Sequence, residues 1–187
     1  MTYPVPEAEI DLEVRRAIAK ALRKDESAVG MDDSVTEGLG GTSLDFLDIQ
    51  FRLEQAFGLK MPHNMLIDQV EELFGEGKAL DSSGRLTEDA KVVVRLRIGD
   101  DGRLAGEVYG DEVTALVTPR SMAGFVKEIL AQLPAACGCG AKAWKRAEGV
   151  KVACSGCGKP PAFPDGDTLT QQWLQATARE KRLFGVA

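Results

Sequence analysis

Two groups of residues in this chain have types and spacings that suit covalent or metal chemistry. The first is the serine of Gly40-Gly41-Thr42-Ser43-Leu44, which follows a glycine pair and precedes an amphipathic stretch ending at Gly58. The second comprises all four cysteines, arranged as one Cys-x-Cys pair and one Cys-x-x-Cys pair. A serine hydroxyl can be esterified, and four thiolates can close a tetrahedral metal site.

The residues around Ser43 predict a turn that leads directly into a helix. Glycines adopt backbone angles closed to other residues, and Thr42 is a good helix N-cap. Asp45, three residues further on, completes a pattern similar to a capping box, and its charge suits the positive end of a helix. We therefore expect Ser43 to be exposed beside backbone N–H groups that favour a phosphate.

The predicted helix from Ser43 to Phe57 has two apolar faces when its residues are placed at about 100° intervals. The face expected to join the core contains Phe46, Ile49, Leu53, Ala56 and Phe57. The second face contains Leu44, Leu47 and Phe51, beyond a polar stripe of Asp45, Asp48, Arg52 and Gln55. Either core surrounds this helix completely, or the second face is a strip that docks a partner protein. The adjacent carboxylates favour the docking strip.

Residues Leu39 to Pro62 resemble the carrier proteins of fatty acid, polyketide and nonribosomal peptide synthesis. The serine motif is similar to the family pattern Gly-Gly-x-Ser-Leu, in which the serine receives 4′-phosphopantetheine. The continuation from Asp45 through Gly58-Leu59-Lys60-Met61-Pro62 is similar to the acyl carrier version. Thr42 departs from the family, because acyl carriers usually have Asp here, and this leaves open which transferase loads the serine.

The resemblance implies a helical bundle that carries an acyl group as a thioester on Ser43-bound phosphopantetheine and breaks no bonds itself. An aminoacyl or peptidyl cargo is the alternative within the family. The implied partners are a phosphopantetheinyl transferase, an acyl or aminoacyl ligase, and acyl-transfer or condensing enzymes. The predicted docking residues are Leu44, Asp45, Leu47, Asp48, Phe51 and Glu54. The sequence favours a cavity in the bundle core no more than it excludes one.

The expected fold is mainly α, with a four-helix carrier bundle over residues 1–134 and an insertion at about 76–118. A small four-cysteine zinc ribbon and a C-terminal helix are expected over residues 135–187. Residues 86–110 fit either a helix capped by Thr87 or a hairpin, and the helix is favoured. The other helices are expected at Glu7 to Leu22, Ile67 to Phe74, Met122 to Leu133, and from Thr168 or Thr170 to Leu183.

The cysteine pairs are separated by 14 residues, and two short strands are predicted between them. The pairs are Cys137 with Cys139 and Cys154 with Cys157. This layout is typical of a zinc ribbon. Four protein ligands leave no position for a catalytic water, so the predicted zinc is structural. The start of the chain lacks the order of an export signal, which argues against disulfides, and a thiol redox protein is the remaining alternative.

The net charge of −6 is unevenly distributed. Residues 1–75 carry 15 acidic and 7 basic side chains, which argues against a nucleic acid partner and for enzymes with basic surfaces. The predicted ribbon is basic, so a zinc-ribbon interaction or nucleic-acid-binding protein with a purely structural bundle is an alternative, but a solvated surface is favoured. Without a signal peptide or a membrane-length apolar run, we expect a cytoplasmic protein with no membrane partner.

Overall fold

The computed structural model describes residues 3–186 and is mainly helical, as predicted. Six α-helices and one two-stranded sheet follow one another in the described chain. They are α1 (Glu7–Ala21), α2 (Ser43–Phe57), α3 (Leu66–Phe74), α4 (Glu88–Arg97), α5 (Pro119–Ala131), β1 (Trp144–Arg146), β2 (Val152–Cys154) and α6 (Gly166–Lys181). Short 3₁₀ helices occur at Glu26–Ala28, Arg103–Ala105 and Gly110–Leu116. The predicted combination of a helical bundle and a small cysteine-rich ribbon is confirmed.

A first hydrophobic core lies where α1 packs against α2 and α5. Its fully buried side chains include Ile18 of α1, Ile49 and Leu53 of α2, and Val126 of α5. The buried residues of these three helices recur at three- and four-residue intervals, which is the spacing that gives a helix one apolar face. This core fixes the orientation of α2, the helix that begins at Ser43.

A second hydrophobic core brings α3, α4 and α6 together with the 3₁₀ helix at Gly110–Leu116. Its buried residues include Val70, Val94, Leu116 and Leu174. The sequence did not decide between the helix and the hairpin for residues 86–110 on periodicity alone, and the helix prediction is confirmed over Glu88–Arg97. The helix forms because the Thr87 hydroxyl accepts a hydrogen bond from the N–H of Ala90, and acids precede bases along it.

Helix α6 packs on the second core, a position that the sequence did not determine. The predicted cap at Thr168 or Thr170 is wrong. The helix begins earlier, at Gly166, because the carboxylate of Asp165 accepts a hydrogen bond from the N–H of Asp167 at 2.9 Å. Thr170 therefore lies inside the helix, where its hydroxyl donates to the carbonyl of Gly166 at 2.9 Å.

The ribbon is an antiparallel pair in which Trp144 lies opposite Cys154. It packs on the first core through Val150 and Val152, which are buried. The hydroxyl of Tyr3 donates to the carbonyl of Val150 at 2.7 Å, and burial raises the pKa of Tyr3 to about 12. Contacts therefore cross the predicted domain boundary between residues 134 and 135, and that boundary stays a prediction.

Within residues 3–186, none of the helices combines the length and the apolar character needed to cross a bilayer. The cytoplasmic location stays a prediction.

Arg97, the last residue of α4, joins three helices. Its guanidinium lies 4.5 Å from the ring centroid of Phe125 on α5 and 4.9 Å from that of Trp173 on α6. It also pairs with the carboxylate of Glu128 and donates to the hydroxyl of Thr170 at 3.2 Å. Only 10% of the side chain is exposed, so these contacts are poorly screened by water.

We predict that Arg97→Ala lowers the free energy of unfolding by about 3 kcal/mol, because it leaves Glu128 without its charge partner and removes two cation–π contacts. Arg95→Ala is the matched control, since Arg95 is on the same helix but is 48% exposed and pairs only with Asp100 among the described residues. Arg95→Ala should lower the free energy of unfolding, measured with urea, by less than about 1 kcal/mol. Equal losses for the two variants would contradict this role of Arg97.

Candidate functional site

Two glycines shape the turn that precedes α2. Gly40 has a φ of +72°, a conformation that L side chains rarely adopt. Gly41 donates its N–H to the carbonyl of Val35 at 2.8 Å, and a Cβ added to it would lie 2.8 Å from the same oxygen. The second glycine is therefore required by close packing against the loop, and together the pair directs the chain into the helix.

The start of α2 is fixed by reciprocal hydrogen bonds between Thr42 and Asp45. The N–H and the hydroxyl of Thr42 donate to the Asp45 carboxylate at 2.8 and 2.7 Å, and the N–H of Asp45 donates to the Thr42 hydroxyl at 3.4 Å. These bonds hold the pKa of the Asp45 carboxyl below its usual value. The predicted capping box is therefore present, and it keeps a negative charge at the positive end of the helix.

Ser43 is the first residue of α2, and its side chain is exposed. The first N–H groups of a helix have no partners within the helix, so the hydroxyl lies beside donors suited to a phosphate. This is the geometry expected from the sequence. It leaves the oxygen open to a modifying enzyme.

The second apolar face of α2 is exposed to solvent. Leu44 is 76% exposed, and Leu47 and Phe51 are each 59% exposed, whereas Ile49 and Leu53 on the opposite face are fully buried. The alternative of a helix surrounded by core is therefore excluded for α2. We call Leu44, Leu47 and Phe51 the exposed strip. Asp48 lies beside it and pairs with Arg52 at 2.9 Å.

Glu54 is one of the predicted docking residues, but its side chain is largely buried. Only 9% of its side chain is exposed. Its carboxylate accepts hydrogen bonds from the N–H of Met61 at 3.0 Å and from Lys60 at 3.1 Å, and it lies 3.0 Å from the ring of His63. Burial opposes ionisation, but these bonds lower the pKa of Glu54 overall. Its carboxylate fastens the loop after α2.

An apolar cavity of about 330 Å³ opens beside Ser43. Sequence patterns did not indicate this cavity, because its walls come from residues far apart in the chain. From residues before α4 it is lined by Thr36, Ser43, Phe46, Leu47, Gln50, Met61, Pro62, His63, Asn64, Met65 and Leu66. The later residues that line it are Ile98, Val113, Thr114, Val117, Met122, Phe125 and Thr170.

The four cysteines converge, and their Sγ atoms all lie within 4.8 Å of one another. Cys137 Sγ is 3.7 Å from Cys157 Sγ, and Cys139 Sγ is 3.5 Å from Cys154 Sγ. A tetrahedral ion with metal–sulfur bonds of about 2.3 Å places its sulfurs about 3.8 Å apart, so the cluster fits such an ion. All four side chains are free thiols rather than disulfides.

Backbone donors favour the thiolate form of one of the four cysteines. Hydrogen bonds from the N–H of Cys157 and then the N–H of Gly156 lower the pKa of Cys154 to about 6, although burial opposes this shift. The second of these donors lies 3.3 Å from the sulfur. The N–H of Ala141 acts in the same sense on Cys139, but hydrogen bonds with Cys154 and Cys157 outweigh it and raise the pKa of Cys139 to about 11. Cys154 is fully buried, so its charge needs a compensating cation. These features make the cluster a candidate metal site with a closed set of ligands.

Comparison with known families finds a match in the part of the chain that contains the first three helices. Residues 13–73 match the family model described as "Phosphopantetheine attachment site". This segment, about a third of the chain, is similar to phosphopantetheine-binding domains. It extends from α1 to α3 and contains Ser43 and the exposed strip, which supports a carrier protein. No solved structure matches the chain. The 76–118 segment, the ribbon and α6 all lie outside the matched residues.

We predict that the purified protein contains about one zinc ion per chain and that Cys154→Ser loses it, because three remaining thiolates leave the site incomplete. Ser155→Ala is the matched control, since Ser155 is exposed and adjacent to the cluster. Elemental analysis of both variants and of the unmodified protein checks the result. A metal content that is unchanged in Cys154→Ser, or absent from the unmodified protein, would contradict a zinc site.

Proposed function

We propose that the protein is an acyl carrier in which Ser43 bears 4′-phosphopantetheine and the terminal thiol of this group carries an acyl chain as a thioester. The observation that carries the proposal is the exposed Ser43 hydroxyl at the first residue of α2, inside the segment that matches the phosphopantetheine family. The geometry of the capped helix start is what a covalent phosphate at this position needs.

The loading reaction is a phosphoryl-group transfer from coenzyme A. A bond forms between Ser43 Oγ and the phosphorus next to pantetheine, and the pyrophosphate bond of coenzyme A breaks. Adenosine 3′,5′-bisphosphate leaves, and the hydroxyl proton passes to a base of the phosphopantetheinyl transferase. This chain supplies the accessible hydroxyl and the helix start, and the partner enzyme supplies the catalysis.

The protein itself delivers the acyl chain to its partner enzymes, and it breaks no bonds. After loading, its partners are an acyl ligase or acyltransferase that charges the thiol and a transfer or condensing enzyme that accepts the chain. The exposed strip supplies apolar contacts, and Asp45 and Asp48 supply charge that attracts basic enzyme surfaces. Rapidly exchanged complexes suit a protein that must meet several enzymes in turn.

An acyl cargo is favoured over an aminoacyl or peptidyl cargo by the cavity beside Ser43. The residues that line it include no Asp, Glu, Lys or Arg in the described part of the chain, so a protonated amino group entering it would lose its hydration without a charged partner. The segments outside the matched domain favour a role in a dedicated pathway, because their surfaces could distinguish cognate enzymes from others.

We propose a structural role for zinc in the ribbon, where four thiolates would hold the ion.

We predict that incubation with coenzyme A and a promiscuous transferase adds one phosphopantetheine to the protein and that Ser43→Ala abolishes the adduct. Ser82→Ala, which changes an exposed serine in a turn outside the matched domain, should leave loading unchanged. Intact mass spectrometry measures both, and circular dichroism confirms that both variants fold. An adduct that persists in Ser43→Ala would overturn the proposed function.

The exposed strip gives a separate prediction about partner binding. Phe51→Ala should raise the KM for the transferase about 5–10-fold with little change in kcat, because it removes an apolar contact worth roughly 1 kcal/mol from the encounter surface. Leu96→Ala is the control, since Leu96 is 51% exposed but lies on α4. Equal KM values for Phe51→Ala and unmodified protein would rule out docking through this strip.

A further inference from the structure

We infer that the 76–118 segment and α6 form a wall of the cavity beside Ser43 and set the length of acyl chain that the protein shelters. The inference rests on the proposed function, because the chain must be attached through Ser43. It goes further by assigning cargo selection to parts of the molecule outside the matched domain. Five residues carry the assignment, namely Ile98, Val113, Thr114, Val117 and Thr170, and each lines the cavity.

The cavity lies at the seam between the two hydrophobic cores. Phe46, Met61 and Met122 on one side pack with the first core, whereas Leu66 and Val113 on the other side are part of the second. The second core is built largely from residues that follow α3. Without those residues this side would lack its covering of apolar side chains, and the cavity would be an open groove.

The wall contributed by α6 is held firmly against the loop that follows α2. The carboxylate of Asp167 accepts hydrogen bonds from the N–H groups of His63 and Asn64 at 3.1 and 3.0 Å and from the side chain of Gln69 at 3.0 Å. Gly166 approaches so closely that an added Cβ would collide with the backbone nitrogen of Pro62. Thr170, one helical turn later, is therefore kept at the cavity.

The wall contributed by the 76–118 segment is tied to the loop that leads to Ser43. The N–H of Val35 donates to the carbonyl of Val117 at 2.9 Å. Arg103 pairs with Glu37 at 2.9 Å, and this bond joins the same two segments at the surface. The loop before the attachment serine and the wall opposite it are thus parts of one connected structure, so the opening beside Ser43 has a defined shape.

The lining and the volume specify the occupant. Apart from His63, which lies at the exposed edge, every lining side chain is uncharged at all ordinary pH values, and most are hydrocarbon or thioether groups. An aliphatic chain is the cargo that gains most from such a lining, since burial is favourable for each methylene. A water molecule takes up about 30 Å³ in the liquid, and a methylene group is of similar size, so a cavity of about 330 Å³ holds roughly ten methylene groups.

The test loads the 187-residue chain with acyl-phosphopantetheine from acyl coenzyme A thioesters of four, eight, twelve and sixteen carbons and measures Tm for each. The phosphopantetheine form without an acyl chain is the reference. Tm should rise by about 5 °C from the four-carbon to the eight-carbon form and level off beyond about ten carbons, because additional methylenes remain in water. Intact mass confirms loading before each measurement.

Two variants of the wall move this limit in opposite directions. Thr114→Phe narrows the cavity, so the rise should end at a shorter chain, whereas Ile98→Ala enlarges it, so the rise should continue to a longer one. Thr168→Phe is the matched control for the first variant, because Thr168 is exposed on α6 and does not line the cavity. Its chain-length profile should equal that of the unmodified protein.

The possible outcomes distinguish a failure of this inference from a failure of the proposed carrier function. A Tm that does not depend on chain length in fully loaded protein, or profiles that Thr114→Phe and Ile98→Ala leave unchanged, would overturn the inference while the carrier function stands. Failure to form any adduct on Ser43 would overturn the carrier function, and the inference with it. Should Thr114→Phe not fold, the profile of Ile98→Ala decides alone.

Discussion

The hydrogen bonds between Thr42 and Asp45 are the constraint on which the rest of the site depends. They end the glycine turn and start α2 at one defined residue, so that Ser43 presents its hydroxyl at the first position of the helix. The same helix start determines which side chains of α2 face the core and which face solvent, since a helix keeps a fixed rotation per residue. The position of the Ser43 hydroxyl, the exposed strip and one wall of the cavity thus follow from a single cap.

The additional segments of the chain are integrated with this site rather than appended to it. The second core shares a cavity with the first, and α6 is fastened to the loop after α2 through Asp167. Arg97 holds α4, α5 and α6 together behind that cavity. Even the ribbon rests on the first core through Val150 and Val152. A change in the later part of the chain can therefore reach the surroundings of Ser43.

Features governed by neighbouring residues were predictable from the sequence. The start of α2, its end at Gly58 and the convergence of the four cysteines all depend on short spacings with a direct physical cause. Features governed by distant residues were not. The accessibility of Glu54 was misjudged because His63 and Lys60 fold back onto it, and the cavity was undecided because much of its lining comes from residues brought there by tertiary packing.

The central claim is that Ser43 carries phosphopantetheine in the living cell. Tandem mass spectrometry of the protein isolated from its own source tests this most directly, because trypsin releases the serine within a peptide of residues 25–52. The account predicts phosphopantetheine, with or without an acyl chain, on Ser43 of that peptide. A peptide that is entirely unmodified, or one that carries the group on another residue, would contradict it.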